Sequence, residues 1–337
     1  MTIEQLKKRC FNQEVFPDDI LNWIAKENLW NIWIPKSYGG LEMSFSEGLN
    51  KLRFLSEIDG SLGWTVTLCS GANFFFGNLK SDAVNAIFSN PEKSACFGGS
   101  GGVFGTAEKE DNGYIISGTW KYATGAPYLT HFTLNAKILE DGNEVLNKNG
   151  DCLIRSFVIS KDDVEVIEDW NSMGLKATAT HSFKVKNKWV PKKFSFVYNE
   201  LHHDHPIFKI NFAVFADLTL WVNYLGIAAQ FYKEAQNVIK ENIALLDKLL
   251  AIITKADAEI KQYALQIENC IYSEKLIPET WMNKIHKEAS NSVKALSNAI
   301  IEVYPFLGIE ACKQDSRLHY VFKDYFTATQ HHIFSKK

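Results

Sequence analysis

Several things are missing from this chain, and each absence closes a class of function. There is no basic block, and the formal net charge is −3, so a nucleic-acid partner is not expected. No stretch reaches the ~18 uninterrupted apolar residues of a membrane span. The longest apolar run, FADLTLWVNYLGIAAQF, is broken by Asp217 and Asn223. The first residues, MTIEQLKKRC, are charged and do not read as a signal peptide. The six cysteines are scattered, with no CxxC pair. That predicts reduced thiols in a cytoplasmic protein, not a disulfide frame or a zinc site. Internal repeats, low-complexity tracts and an HExxH motif are all absent.

A dinucleotide fingerprint is missing too, although glycine is locally dense. In ACFGGSGGVFGTA, Gly99, Gly101 and Gly105 miss the GxGxxG spacing. A phosphate loop needs a helix after it, and here a charged stretch and a DNGY turn follow. The glycines at 98–102 are expected to form a flexible loop at the mouth of a site.

What is present falls into three textures. Residues 1–94 read as helices. Phe16-Pro17-Asp18-Asp19 opens one, with Ile20, Leu21, Ile24 and Leu29 at helical spacing. Ser44 and Glu47 form a candidate capping box, a further helix covers 61–78, and another opens at Ser81. Residues 95–200 carry short β-rich runs separated by NGY, DGN and KNGD turns. From 201 to 337 helical periodicity returns, with patterns over 210–246, 253–273, a stretch opened by Pro278, and 315–333. The predicted fold class is α+β and multidomain: an N-terminal helical domain, a middle antiparallel β-barrel or sandwich, and a C-terminal helical bundle.

This order, with its junction motifs, resembles the acyl-CoA dehydrogenase superfamily. WIPKSYGG is similar to the family's turn between the first helices. GTAEKEDNGYIISGTWKYATGAP is similar to its central β stretch, DWNSMGLKATATHSFKVKNKWVP to the segment that packs on the flavin, and LGIAAQFYKEAQ to the first long bundle helix. The resemblance implies a flavin between the β domain and the bundle, with FAD first and FMN as the alternative, and a homo-oligomer, dimer or tetramer. In RLHYVFKDYFTATQHHIF, Asp324 matches the family's aspartate, Lys323 replaces the usual arginine, and His331 follows Asp324 by seven residues. Neither usual dehydrogenase glutamate is present. The pattern therefore favours the monooxygenase branch, which uses reduced flavin and oxygen and needs a separate flavin reductase. The alternatives are an acyl-CoA dehydrogenase with a displaced base, for which Asp217 is the only candidate, and a catalytically silent member. The substrate is accordingly a small molecule or an acyl group.

The site residues follow from that resemblance. Thr124 and Gly125, at a strand end, offer a hydroxyl and backbone N–H groups to a flavin edge; the plainer reading is a turn threonine. Trp170 can cover one ring face, with Thr178 and Thr180 on the polar edge, or be a core tryptophan beside strand threonines. Gly105 and Ala107 are small residues where backbone lies beside the flavin. His331 is the candidate acid/base, because an imidazole exchanges protons near neutral pH; His332, about 100° away on a helix, is the weaker choice. Asn73 is a candidate on the substrate side, although an amide cannot act as a base. The LHHDHP segment at 201–206 reads as a solvated loop, and no metal is expected. The family's diphosphate-binding arginine and glutamine are replaced by KENIALLDKLLAIITKADAEIKQ, leaving Lys248 or Lys255 as substitutes.

Overall fold

The structure is a computed structural model that describes residues 1–89, 94–239 and 243–335. Five helices come first: α1 (Ile3–Cys10), α2 (Asp18–Lys26), α3 (Phe45–Ile58), α4 (Gly60–Asn73) and α5 (Ser81–Phe88). Helix α2 starts behind Pro17 with Asp18 and Asp19 in its first turn, where acidic groups suit the helix dipole. The capping box at Ser44 and Glu47 forms as the spacing predicts: Glu47 N–H donates to the Ser44 hydroxyl, and Ser44 N–H to the Glu47 carboxylate. Helix α4 is buried on nearly every side, so it is a core helix and not a surface one. It stops at Asn73 and continues only as a 3-10 turn, Phe74–Asn78, whose three phenylalanines lie in the core.

Eight strands follow: β1 (Phe97–Glu110), β2 (Gly113–Ala123), β3 (His131–Glu140), β4 (Asn143–Glu144), β5 (Ile154–Ser160), β6 (Glu165–Ile167), β7 (His181–Pro191) and β8 (Ser195–Phe196). They form one sheet in the order β6-β7-β2-β1-β3-β5-β8, with β4 beside β3. The expectation of a wholly antiparallel barrel or sandwich is corrected here. β1 and β3 pair in parallel, and the hydrogen-bonded path is open at its ends among the described residues. The cause is the path of the chain. β2 returns along one edge of β1 through the Asp111-Asn112 turn, then crosses to the other edge, so β3 runs with β1.

The glycine-dense stretch is also corrected. It is strand β1 itself, with register shifts between Ser100 and Val103 and between Val103 and Gly105. The glycines permit close backbone approach. A Cβ on Gly99 would stand 1.8 Å from the Thr133 carbonyl oxygen. Ser100 Oγ donates to Lys121 O at 2.6 Å, and Asn135 Nδ2 to Gly101 O at 2.9 Å, which pins the bulge.

Helices α6 (Phe212–Val238), α7 (Ile243–Tyr272), α8 (Glu279–Val303), α9 (Arg317–Ala328) and α10 (His332–Ser335) complete the order. The single helix expected over 210–246 is two, because Ile239 takes an extended conformation after α6. The helix expected over 315–333 ends at Ala328, so His331 lies in a turn and the helix-phase argument for it lapses. Pro278 is the N-cap of α8. By length and composition α6 could cross a membrane, yet 83% of its most apolar window is buried inside the protein. It serves as the core of the bundle. Buried side chains from Leu6 to Ala328 form one continuous cluster, so the three textures share a core.

Candidate functional site

Helix α4 is the spine to which the predicted residues attach. Its faces meet three other elements in turn. At Gly60, a Cβ would stand 2.7 Å from Asp324 Oδ2, so α9 seats directly on the helix start. The Trp64 ring meets His331 edge-on, 5.6 Å between centroids. Near its end, Cys69 Sγ lies 3.7 Å from Thr124 O, and a Cβ on Gly125 would come within 3.1 Å of that sulfur and 3.6 Å of the Thr65 methyl. Gly125 has φ +76°, a conformation that favours glycine.

The segment after β6 locks onto this turn. Leu175 and Ala179 both hold positive φ, +51° and +40°, which costs non-glycine residues energy and recurs at functional sites. Hydrogen bonds hold the pair in place. Leu175 N donates to Asp324 Oδ1 at 2.6 Å, and Gly125 N donates to Thr178 O at 2.8 Å. Tyr128 Oη donates to Ala177 O at 2.9 Å. Thr178 Oγ1 donates to Leu175 O at 2.7 Å and lies 2.7 Å from Thr180 Oγ1, which in turn lies 3.2 Å from Thr124 Oγ1. These three contacts use three protons, one from each hydroxyl, so the Thr124 proton is taken up by the relay and its oxygen keeps room to accept. The buried Thr65 hydroxyl on α4 has no partner. An unpaired buried hydroxyl is costly, so Thr65, packed against this turn, points to an additional ligand.

Trp170 is half-buried on the rim. Its Nε1 donates to Leu175 O at 3.1 Å, and its backbone N–H donates to His181 Nδ1 at 3.0 Å. Its ring meets Tyr122 at 5.8 Å, and Tyr122 is 45% exposed. These two rings form an aromatic ledge beside Thr124.

His331 is partly buried. Burial first, and His332 second, push it down to about 4, so it is neutral at pH 7. Two carboxyls lie nearby at the start of α4. Burial pushes Asp59 up to about 6, and burial together with Asp59 pushes Asp324 up to about 8.

Comparison with known proteins adds the family context. No family model matches the chain. It is 27% identical over 231 residues to the indole-3-acetate monooxygenase of Acinetobacter baumannii, a match covering 67% of this chain and 57% of that protein. The chain therefore spans little more than half the length of that relative. Other relatives are named as oxygenase subunits or components of flavin-dependent monooxygenases and hydroxylases. Among solved structures, the HsaA monooxygenase of Mycobacterium tuberculosis superposes with a TM-score of 0.90, at 16% identity, over 98% of this chain and 91% of that one. Dibenzothiophene monooxygenase TdsC from Paenibacillus sp. A11-2, solved with FMN and indole, superposes with a TM-score of 0.81 at 18% identity, over 99% and 92%. The chain has the fold of these monooxygenases, which is acyl-CoA dehydrogenase-like.

Within that monooxygenase fold the singled-out residues separate by what they touch. Thr124, Gly125, Thr178 and Thr180 converge on one turn, with Trp170 bonded to its carbonyl at Leu175. Gly105 has a packing duty: a Cβ there would meet the Trp120 ring at 2.4 Å. Ala107 is fully buried in the sheet. Asn73 is fully buried and has no free hydrogen-bonding group. Its Nδ2 donates to Trp30 O, Asn31 Oδ1 and Ala95 O, and its Oδ1 accepts from Phe97 N. This amide ties the first helices to the start of β1.

Asp217 is buried and bonded to His286 Nδ1 at 3.0 Å across α6 and α8, which occupies the one carboxylate considered as a displaced base. Lys248 and Lys255 pair with Glu302 and Glu259. In the LHHDHP segment, His203 Nε2 lies 3.0 Å from Leu79 O and so ties the segment to the end of the 3-10 turn, while His205 Nδ1 accepts from Ile207 N within its own turn. Sequence reasoning missed the Thr65 hydroxyl, the Tyr122 ring and the Asp59–Asp324 pair. Of these, only the DG step at Asp59-Gly60 is a local signal.

Proposed function

We propose that this protein is the oxygenase component of a flavin-dependent monooxygenase, taking reduced flavin from a separate reductase and hydroxylating a small aromatic compound. The observation that carries the reading is the threonine relay ending at Thr124, with the unpaired Thr65 hydroxyl on α4 and the Trp170–Tyr122 ledge. This set fits a planar ring with a polar edge: the Thr65 hydroxyl and the Thr124 oxygen for the edge and aromatic surface for a face. Bound reduced flavin supplies the two electrons by which one oxygen atom of O2 enters the substrate and the other leaves as water. The protein's own contribution is to orient and to handle protons. The Thr124 oxygen faces the ring edge as an acceptor. The relay from Thr180 and Thr178 to Leu175 O fixes that hydroxyl's direction. His331, held neutral by burial, accepts a proton from the substrate.

The relatives' names support an aromatic substrate, since they include indole-3-acetate, p-hydroxyphenylacetate and resorcinol. FAD is the expected flavin. However, α7 carries no arginine, and FADH2 and FMN each occur in solved neighbours. FMN and FAD are therefore predicted to bind with affinities within about tenfold of each other, because a lost charge-assisted bond is worth ~1.5 kcal/mol. The test supplies the purified protein with NADH, an unrelated flavin reductase and 18O2, using indole-3-acetate or p-hydroxyphenylacetate. The reading predicts one 18O atom per product molecule, lost in His331→Gln with flavin binding retained. Unlabelled substrate after many reductase turnovers would contradict it.

A further inference from the structure

Asp324 sits where three elements press closely together. Its Oδ1 accepts the Leu175 N–H at 2.6 Å. A Cβ on Gly60 would stand 2.7 Å from its Oδ2, and a Cβ on Gly174 would stand 2.3 Å from the Lys323 carbonyl and 2.5 Å from Asp324 N. The two glycines let α9 press at once on the start of α4 and on the turn behind Thr124. Asp59, the N-cap of α4, accepts from Leu62 N at 2.9 Å. It lines the same ≈20 Å³ cavity as Asp324, together with Cys10, Ser61, Lys176 and Tyr320. That volume is about the room one water needs.

We propose that Asp324 is a positioning residue of the flavin site. Paired with Asp59, it clamps the 174–180 turn to α4 and α9, and so fixes Thr178 and Thr180 behind Thr124. The proposal rests on the flavin reading for its functional meaning, while the clamp itself is tested without flavin.

The charges around the pair explain why it is sensitive to pH. Two carboxyls line one cavity, and no cation closes an ion pair with either among the described residues. The Arg317 guanidinium lies over the Phe11 ring and Lys323 Nζ over the Tyr320 ring, each at 5.1 Å. Lys176 is drawn away to Glu14 at 2.6 Å. Cys10, raised by burial, stays a thiol, and Tyr320, also raised by burial, stays a phenol. Between about 6 and about 8 the pair holds a single proton. Above that range both carboxyls are charged, buried and repelling. Burial and the Asp59 charge outweigh the Leu175 N–H bond, which favours the charged Asp324; because the folded values lie above an ordinary carboxyl's ~3.9, the clamp is tightest at low pH and loosens as pH rises through the folded values.

Hydrogen exchange of the 173–180 backbone, corrected for intrinsic rates, is measured at pH 6 and pH 9 in the wild type, Asp324→Asn, Asp59→Asn and Asp324→Ala. The affinity for dithionite-reduced FMN is measured on the same samples. In the wild type, protection and affinity should fall about tenfold or more between the two pH values, one pH unit of linked titration being tenfold. Asp59→Asn should reduce that loss, and Asp324→Asn, which keeps an acceptor for Leu175 N–H, should abolish it. Asp324→Ala should loosen the turn already at pH 6, with helix content by circular dichroism unchanged. An undiminished alkaline loss in Asp324→Asn, or an unaltered turn in Asp324→Ala, would overturn the clamp. If the wild type binds no flavin but the exchange pattern follows this order, the clamp stands and the flavin reading falls.

Discussion

At His331 the relevant property is a charge that the fold withholds. Burial, and then His332, hold its ring at about 4, below the ~6.5 of an exposed histidine. The unfolded chain therefore binds a proton that the folded chain refuses between those values. The stability this contributes is present above about 6.5 and is lost as pH falls through 4. Urea denaturation at pH 5.0 and 7.5 should show a smaller acid loss in His331→Gln than in the wild type. His131, also held at about 4 by burial, adds to the slope, as do His203 and His205, both lowered first by burial. An equal acid loss in both proteins would mean that His331 is solvated. The residue itself was legible from its seven-residue spacing to Asp324, but its burial was not, because that depends on Trp64 in a distant helix. Asn73 shows the same limit. Its partners sit at positions 30, 31, 95 and 97, and no local pattern announces them. Thr124, Gly125, Thr178 and Thr180 were legible because a family motif carries them, while Thr65 has no motif.

At the scale of elements, the glycines of β1 separate into those that approach other backbone and those that do not. A Cβ on Gly99 would overlap the Thr133 carbonyl, whereas one on Gly101 would meet nothing within 4 Å. Gly99→Ala should cost about 2 kcal/mol or more, since backbone must shift to admit it. Gly101→Ala should stay within about 0.5 kcal/mol. Thermal melts of the two variants decide this, and equal melting temperatures would mean that the stretch is the flexible loop its composition suggests. Dense glycine reads as a loop in sequence because the same residue serves mobility and close packing. The pairing partner that separates these uses lies about 34 residues away, at Thr133. Helix starts were legible where a side chain caps them, as at Ser44. Helix ends were not: apolar spacing continues through Leu245 and Leu246 although the backbone turns extended at Ile239.

For the whole molecule, the order helical, β, helical was legible because the period of apolar residues changes from 3.6 to 2 and back. The parallel β1–β3 pair was not, since strand order is a property of crossovers and not of strands. Nor was the shared core, in which α4 and α6 bind the outer segments into one cluster. That arrangement places the Thr124 turn between α4 and the 175–180 segment, and the account's central claim is that reduced flavin binds there. An anaerobic titration with dithionite-reduced FMN and FAD tests it most directly, comparing wild type, Thr124→Ser and Thr124→Val. The account predicts saturable binding of one flavin per chain in the wild type and in Thr124→Ser. Thr124→Val should bind about tenfold more weakly, as one hydrogen bond of ~1–1.5 kcal/mol requires. No binding in the wild type, or equal affinity in Thr124→Val, would contradict it.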